Sequence, residues 1–288
     1  MQLRRSWLFV GAADKNAILT SYDSGADVCI QEFEDFCVPE LRREARLMMP
    51  DVLSDWRARK IVATVRINPL EDPDGLRDLD AAMRAGADAI LLPKANTKEQ
   101  IALLQKHINE MEKQCGKTVS STKIIPNIEQ ARGLMNATDI LSSSTQIAGA
   151  LVASEDMVVS LNAPRKKNSE ILNHVRRVFH IACCSVGITS IDMPYTFTDD
   201  EGVRQQTILA KDIGMLAKST VNASHCKIIN ELLTPNERDV ENAVEIVSAF
   251  EKGRGSGEGQ VIHEGTKIEV PIYLNAKQII ERFEALSV

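Results

Sequence analysis

The chain alternates short apolar runs with longer segments that carry apolar residues at helical spacing. Apolar runs of about four to eight residues, bounded by polar residues, are typical of buried strands, and longer periodic segments predict helices. Helices are predicted, for example, over Lys98–Glu112 and Glu170–Cys184. The predicted strands are Trp7–Val10, Asp27–Glu32, Ile61–Ile67, Asp88–Pro93, an apolar run from Lys123 to Pro126, Gln146–Ala153, Thr189–Met193 and Lys218–Asn222.

This alternation predicts an α/β fold of the (β/α)8 TIM-barrel type over residues 1–230. Successive parallel strands need crossover connections, and the helical segments between the predicted strands supply them. An open doubly wound sheet is the alternative, and it usually carries a glycine-rich phosphate turn after its first strand. No such turn follows Trp7–Val10.

The chain continues past the eighth predicted strand as a C-terminal helical and hairpin extension over residues 231–288. We expect this extension to cover the barrel mouth or to reach a neighbouring subunit, and a plain packing appendage is the alternative. Its predicted parts are a helix over Asn236–Phe250, a flexible link at Gly253–Gly259, a hairpin over Gln260–Pro271 that turns at Gly265, and a last helix over Asn275–Leu286.

Composition excludes several classes of protein. The apolar share of 44% among 288 residues is enough for a large core, and the net charge of −6 without a basic block argues against a nucleic-acid surface. No apolar run reaches the roughly 18 residues that a membrane span needs. The six cysteines show no CxxC spacing, so we expect reduced thiols in a cytoplasmic protein and no zinc site.

Two carboxylates follow neighbouring predicted strands, and they point to a metal site. Glu129 comes soon after the run ending at Pro126, and Asp156 follows Gln146–Ala153. Neighbouring strands lie about 5 Å apart, so their carboxyl ends would bring both groups to one point of the rim. Like charges there need a cation, and open oxygen ligands suit Mg²⁺. Alternatively, Glu129 caps a helix and Asp156 lies in a solvated turn.

Further polar groups end the other predicted strands. Arg66 could hold a planar carboxylate through two hydrogen bonds, although a surface ion pair is the alternative. We interpret Lys94 as a charge partner rather than as a Schiff-base lysine, with a structural salt bridge as the alternative. The remaining polar groups at strand ends are Glu32, Asp192 and Asn222.

The order of these pieces resembles the citrate lyase β-subunit-like enzymes, within the malyl-CoA lyase group of the HpcH/HpaI aldolase superfamily. The resemblance covers nearly the whole chain, and no single motif is specific alone. The matching stretches are Arg4–Val10, Glu32–Asp35, Val65–Asn68, Leu92–Lys94, Ile128–Gly133, Glu155–Asp156, Ile191–Asp192, Asp200–Gly202 and Glu269–Pro271.

The resemblance implies a Mg²⁺-dependent carbon–carbon lyase. Such an enzyme cleaves or forms a 3-hydroxyacyl-CoA thioester, such as malyl-, citramalyl- or citryl-CoA, and its products are an acyl-CoA and an α-keto acid. Glu129 and Asp156 match the metal ligands of the family, and Arg66 matches its substrate-binding arginine. The resemblance also implies a homo-oligomer, a trimer or a hexamer.

The chain departs from the family pattern at four places, one of which is Ala153, where the family has a glycine before the Glu-Asp pair. Glu32 and Glu269 stand where the family has aspartate, and the stretch from Asn222 to His225 replaces a His-Pro-Ser-Gln sequence. In the family, the aspartate at the position of Glu269 acts across a subunit contact.

These departures leave substrate contacts and acid–base roles open. Glu32 and Lys94 are candidates for substrate binding, and Glu34, Asp35 and Glu269 are candidates for the general base. Two other functions also stay open: an aldolase of the same fold that acts on free hydroxy-keto acids, and a non-catalytic citrate-lyase-like subunit.

Overall fold

The computed structural model describes residues 3–255, 261–263 and 265–286. The chain forms two compact units, Met1–Glu231 and Leu232–Val288.

The first unit is a closed barrel of eight parallel strands, which confirms the predicted TIM barrel. Each strand pairs with its successor in the sequence, and the first strand closes the barrel against the eighth. The strands are β1 Ser6–Gly11, β2 Val28–Glu32, β3 Val62–Arg66, β4 Ala89–Leu92, β5 Lys123–Ile128, β6 Ala150–Val152, β7 Ser190–Tyr195 and β8 Ala217–Thr220.

Helices follow the strands, and their apolar faces cover the outside of the barrel. A short 3₁₀ helix at Pro39–Leu41 precedes the second of them. The helices are α1 Lys15–Ser21, α2 Arg42–Ala58, α3 Pro73–Arg84, α4 Lys98–Gln114, α5 Ala131–Met135, α6 Ala137–Ser142, α7 Glu155–Ser160, α8 Glu170–Ser185, α9 Asp200–Asp212 and α10 His225–Leu233.

Strand alternation explains why polar side chains gather at one end of the barrel. Alternate residues of a strand share a face, and the inward-facing ones form an apolar cluster that includes Ile30 and Ile125. Glu32 lies two residues after Ile30, on the same face, and it pairs in register with Arg66 at the end of β3. The inward row therefore changes from apolar to charged where the strands end.

Three local elements differ from the sequence expectation. β6 covers only Ala150–Val152, because the chain before it pairs with β5 through an isolated bridge at Ile147 instead of a continuous ladder. Asp156 lies in the first turn of α7 rather than at the strand end itself. The helix α10 was not expected after β8.

The second unit contains a hairpin and two helices. The strands β9 Val261–His263 and β10 Thr266–Ile268 pair antiparallel, which confirms the hairpin, and Gly265 has the positive φ of 76° that its turn requires. The helices are α11 Glu237–Gly255 and α12 Val270–Leu286.

The ends of these two helices correct two predictions. Because α11 continues to Gly255, the predicted link is wrong over 253–255, and the rest of that link, residues 256–259, lies outside the described residues. α12 begins five residues before the predicted Asn275. It can do so because Pro271 occupies its first turn, where a missing N–H costs nothing.

The cysteines are reduced, and none of the described helices suits a membrane span. The six cysteines form no disulfide, and four of them are buried. Within the described residues, no helix combines the length and the apolar character that crossing a membrane requires.

Candidate active site

Arg66 lies at the centre of a charged cluster at the carboxyl ends of the strands. Its side chain is only 6% exposed, and its Nε donates a hydrogen bond to Glu32 at 2.8 Å. Its Nη2 lies 2.9 Å from Asp35 and 3.3 Å from Glu34, and its Nη1 lies 3.7 Å from Glu129. Burial opposes the charge of Arg66, but the carboxylates of Glu32 and Glu129 raise its pKa, so the guanidinium stays charged.

Glu32 organises the loop that follows β2. One of its oxygens accepts a hydrogen bond from the backbone N–H of Glu34 at 2.6 Å as well as the one from Arg66. Its other oxygen accepts from the backbone N–H of Phe36 at 2.6 Å. A buried carboxylate needs such partners, and here they fix the loop that carries Glu34 and Asp35.

Lys94 and Glu34 form an ion pair beside this cluster. The Lys94 ammonium donates a short hydrogen bond to Glu34. Burial alone would lower the pKa of Lys94, but this hydrogen bond and the charge of Glu34 raise it. A lysine that stays protonated is a poor Schiff-base nucleophile, so the structure favours the role of a charge partner. Burial also raises the pKa of Glu34, against the opposing effect of Arg66.

Glu129 is fully buried directly after β5. One of its oxygens accepts a hydrogen bond from the backbone N–H of Lys94 at 2.6 Å, and the other accepts from the side chain of Asn127 at 2.6 Å. Burial raises the pKa of Glu129 to about 8, and the charges of Glu34 and Asp156 add to this rise, although Arg66 acts in the opposite direction.

Asp156 is half-buried and close enough for its charge to act on both Glu129 and Lys94. This closeness brings together the two carboxylates that the sequence pairs as metal ligands.

The charged cluster around Arg66 forms the mouth of the barrel at the carboxyl ends of the strands. Its charges and its ligand chemistry fit a divalent cation. Carboxylates outnumber cations here, since the two cations Arg66 and Lys94 face the carboxylates of Glu32, Glu34, Asp35, Glu129 and Asp156. Mg²⁺ binds through one or two carboxylates and keeps several waters. Among the described residues, no group of three or more His, Cys, Asp or Glu side chains could hold a metal ion. A metal site here would therefore use one or two carboxylates and several waters.

Asp192 does not belong to this cluster. It is fully buried between Arg176 and Lys218, whose side chains donate hydrogen bonds to its two oxygens at 2.5 and 2.6 Å. Burial opposes the charge of Asp192, but these two cations lower its pKa. The three residues form a structural ion cluster that joins β7, β8 and α8.

Two other candidate residues lie elsewhere. Asn222 arranges the start of α10, where its side-chain oxygen accepts hydrogen bonds from the backbone N–H and the hydroxyl of Ser224 at 3.1 and 3.0 Å. Glu269 lies in the second unit between β10 and α12, and its side chain is 63% exposed.

Sequence reasoning missed two side chains of the mouth. Asn127 orients Glu129, and Phe9 lies under Arg66, with 5.2 Å between the guanidinium carbon and the ring centroid. Asn127 had a readable signal, because a polar residue two positions before Glu129 in an apolar strand shares its face. Phe9 had no such signal, since an aromatic residue in a buried strand is ordinary.

Comparisons with known proteins agree on one family. The family model for HpcH/HpaI aldolase/citrate lyase matches residues 5–223. The citrate lyase subunit beta of Haemophilus influenzae is 31% identical over 283 residues, which cover 98% of this chain and 97% of the relative. The L-malyl-CoA/beta-methylmalyl-CoA lyase of Cereibacter sphaeroides ATCC 17025 is 27% identical, over 92% of this chain and 89% of that enzyme.

A solved structure shares the architecture over the whole chain. The CitE protein of Mycobacterium tuberculosis, in complex with magnesium, acetoacetate and coenzyme A, superposes with a TM-score of 0.80. It is 22% identical in sequence and covers 99% of this chain and 100% of its own. At this level of identity, the likeness shows the fold.

Proposed function

Because the chain belongs to the HpcH/HpaI aldolase/citrate lyase family, we propose that it is a Mg²⁺-dependent lyase that acts on a 3-hydroxyacyl-CoA thioester. Malyl-, citramalyl- and citryl-CoA are the candidate substrates, and the products are an acyl-CoA and an α-keto acid. The single observation that carries this proposal is the cluster in which Arg66 meets buried Glu129 beside Asp156.

Glu129 and Asp156 would hold the magnesium ion. When bound, Mg²⁺ supplies Lewis-acid stabilisation of oxygen atoms on which negative charge develops. The backbone N–H of Lys94 and the amide of Asn127 fix the carboxylate of Glu129, so it needs little reorganisation to bind a cation.

Arg66 would bind the carboxylate of the α-keto acid portion. Its Nε is committed to buried Glu32, whereas its Nη2 is bonded to Asp35, whose side chain is 47% exposed. A substrate carboxylate could replace Asp35 at Nη2 and contact Nη1 at the same time, which gives the two-point contact of a guanidinium with a planar group. In this arrangement Glu32 acts as a positioning residue behind Arg66.

Glu34 is the best-supported general base among the three candidates. Its side chain is buried, its pKa is raised, and its Oε2 accepts no hydrogen bond among the described residues. A carboxylate with a raised pKa takes a proton from the 3-hydroxyl group more readily than a solvated one. Glu34 would then give this proton to the enolate carbon of the departing acyl-CoA, and its ion pair with Lys94 would stabilise the charged form that is restored. Asp35, displaced from Arg66 by the substrate, would contact solvent instead.

Glu269 would act in a neighbouring subunit of a homo-oligomer, a trimer or a hexamer. Two features support this role. Glu269 follows the hairpin with an exposed side chain, and the family has an aspartate at this position.

A panel of thioesters tests the proposed function. Malyl-, citramalyl- and citryl-CoA are each supplied with Mg²⁺, and the release of glyoxylate, pyruvate or oxaloacetate is followed. Cleavage of at least one thioester supports the proposal. Cleavage of the free hydroxy-keto acids alone would identify an aldolase instead, and turnover of none with Mg²⁺ bound would identify a non-catalytic subunit.

A further inference from the structure

A second candidate binding site lies at the opposite end of the barrel from Arg66. A hollow of about 1000 Å³ opens where strands begin rather than where they end. Val62 is the first residue of β3, Lys123 is the first residue of β5, and Asp88 directly precedes β4. All three line the hollow, so it is separate from the proposed catalytic mouth.

The charges that line this hollow are almost all positive, although the chain has a net charge of −6. The cations are Arg4, Arg57, Lys60, Lys117 and Lys123. Across the part of the chain that the structure describes, none of them has a carboxylate oxygen within 4.0 Å. Asp88 is the lone acidic residue of the lining, and one of its oxygens already accepts a hydrogen bond from the backbone N–H of Ala63 at 2.8 Å.

The loop before β5, which lines part of the hollow, is held by a buried carboxylate. Glu112 is fully buried, and it accepts hydrogen bonds from the backbone N–H groups of Ser120 and Thr122 at 2.6 and 2.7 Å. The hydroxyl of Ser121 donates a third at 3.0 Å. These bonds fix the loop between Lys117 and Lys123, both of which line the hollow.

The segment before β3, which also lines the hollow, is fixed as well. Arg57 donates hydrogen bonds to the backbone carbonyls of Gly86 and Ala85 at 2.9 and 3.1 Å, at the end of α3. Lys60 has a positive φ of 63°, in the tight turn that leads into β3. The lining also includes the buried apolar side chains of Ile61 and Ala87. The cations therefore come from three separate segments of the chain and line one hollow together with apolar side chains.

We propose that this hollow binds a small molecule that carries several phosphate groups. Phosphate oxygens accept hydrogen bonds from both arginine and lysine, and a polyphosphate places several negative charges within the width of one hollow. This site lies beyond the proposed lyase function and shares no residue with it.

Calorimetric titration tests the site directly, with inorganic tripolyphosphate and ATP as separate probes in magnesium-free buffer at low salt. Wild type should bind both probes with one saturable site. The variant Lys60→Gln/Lys117→Gln should bind about tenfold more weakly, as expected when two partly exposed ion pairs are lost. Lys60→Arg/Lys117→Arg keeps the charges and should retain binding.

A matched control separates a site from bulk charge. Lys106→Gln/Arg177→Gln removes the same net charge from exposed positions on α4 and α8, and it should change the affinity by less than about twofold. Three results would overturn the proposal: no saturable binding by wild type, equal losses in the two glutamine variants, or binding that is lost in Lys94→Gln at the catalytic mouth. Melting curves monitored by circular dichroism confirm that each variant is folded.

Discussion

The backbone N–H of Lys94 donates a hydrogen bond to Glu129 at 2.6 Å, although the two residues are 35 positions apart. Lys94 makes this bond from a left-handed conformation, with φ of 48°. The same residue pairs its ammonium with Glu34. Lys94, in the loop after β4, therefore orients two carboxylates of the mouth.

The first prediction concerns this strained backbone. Lys94→Gly removes the ammonium but accepts the positive φ, whereas Lys94→Met removes only the charge. If Lys94 serves mainly through its charge, both variants should lose similar activity, since Glu34 is left without its partner. If the backbone bond to Glu129 dominates, both variants should keep most of the activity, since each retains the N–H of residue 94. We expect the first result, measured as kcat/KM with the thioester that the panel identifies.

Replacement of Arg66 by lysine tests the two-point contact with substrate. Lysine keeps a positive charge but cannot hold a planar carboxylate through two nitrogens, and it leaves Glu32 without its Nε partner. We expect kcat/KM to fall by an amount equivalent to about 2–4 kcal/mol. Kinetics close to wild type would identify Arg66 as a structural ion-pair residue.

The pH dependence of Mg²⁺ binding follows from the raised pKa of Glu129. Below about pH 8 a proton competes with the metal for this carboxylate. The affinity for Mg²⁺ should therefore rise by up to about tenfold per pH unit between pH 6 and 8 and level off above pH 8. Calorimetry over this range measures it, and Glu129→Gln should bind weakly without this dependence. An affinity that is constant from pH 6 to 8 in wild type would contradict the assignment.

The same raised pKa affects stability without metal. The folded state retains the proton of Glu129 up to about pH 8, whereas the unfolded chain loses it near its ordinary value of 4.5. The folded state therefore binds more protons in this window, and the contribution of Glu129 to the free energy of unfolding falls as the pH rises from 4.5 to 8. Glu129→Gln should be more stable than wild type at pH 8 in the absence of Mg²⁺.

Disruption of the buried ion cluster around Asp192 should cause a large loss of stability, since Arg176 and Lys218 depend on its charge. Asp192→Asn leaves two buried cations without a counter-charge, so the free energy of unfolding should fall by about 3–5 kcal/mol. The exposed pair of Asp80 and Arg84 offers a matched control, and Asp80→Asn should cost less than about 1 kcal/mol. Urea unfolding monitored by circular dichroism measures both, and equal costs would show that burial does not strengthen the cluster.

The sequence predicts much of the barrel and part of the mouth. Arg66 and Glu129 can be identified from the sequence because each follows an apolar strand. Strand alternation also places Glu32 on the inward face beside Arg66. The left-handed turn at Lys94 is not readable, since it depends on a carboxylate 35 residues away. Neither is the helical turn at Asp156, because one short helix after a three-residue strand has little periodicity to detect.

Long-range pairing accounts for the other unpredicted features. Asp192 has the sequence signature of a rim residue, and only the packing of α8 against β7 brings Arg176 to it. The proposed role of Glu269 would also depend on contacts outside one chain, which no local pattern encodes.

Subunit complementation tests the proposed role of Glu269. Glu269→Ala and Arg66→Ala should each be inactive alone, and mixing the two with subunit exchange should restore part of the activity. Mixed oligomers contain some sites in which Arg66 from one subunit and Glu269 from another are both intact. If labelled subunits exchange and the mixture stays inactive, Glu269 does not act across an interface.

The most direct measurement is stoichiometric thioester cleavage with and without Mg²⁺, compared between wild type, Glu129→Gln and Asp156→Asn. Wild type with Mg²⁺ should release acyl-CoA and α-keto acid in equal amounts, and removal of the metal should stop both. Each variant should fold, bind Mg²⁺ more weakly and lose nearly all activity at limiting metal. Full activity of either variant at limiting Mg²⁺, or cleavage that persists in wild type after the metal is removed, would contradict a magnesium-dependent lyase site at Glu129 and Asp156.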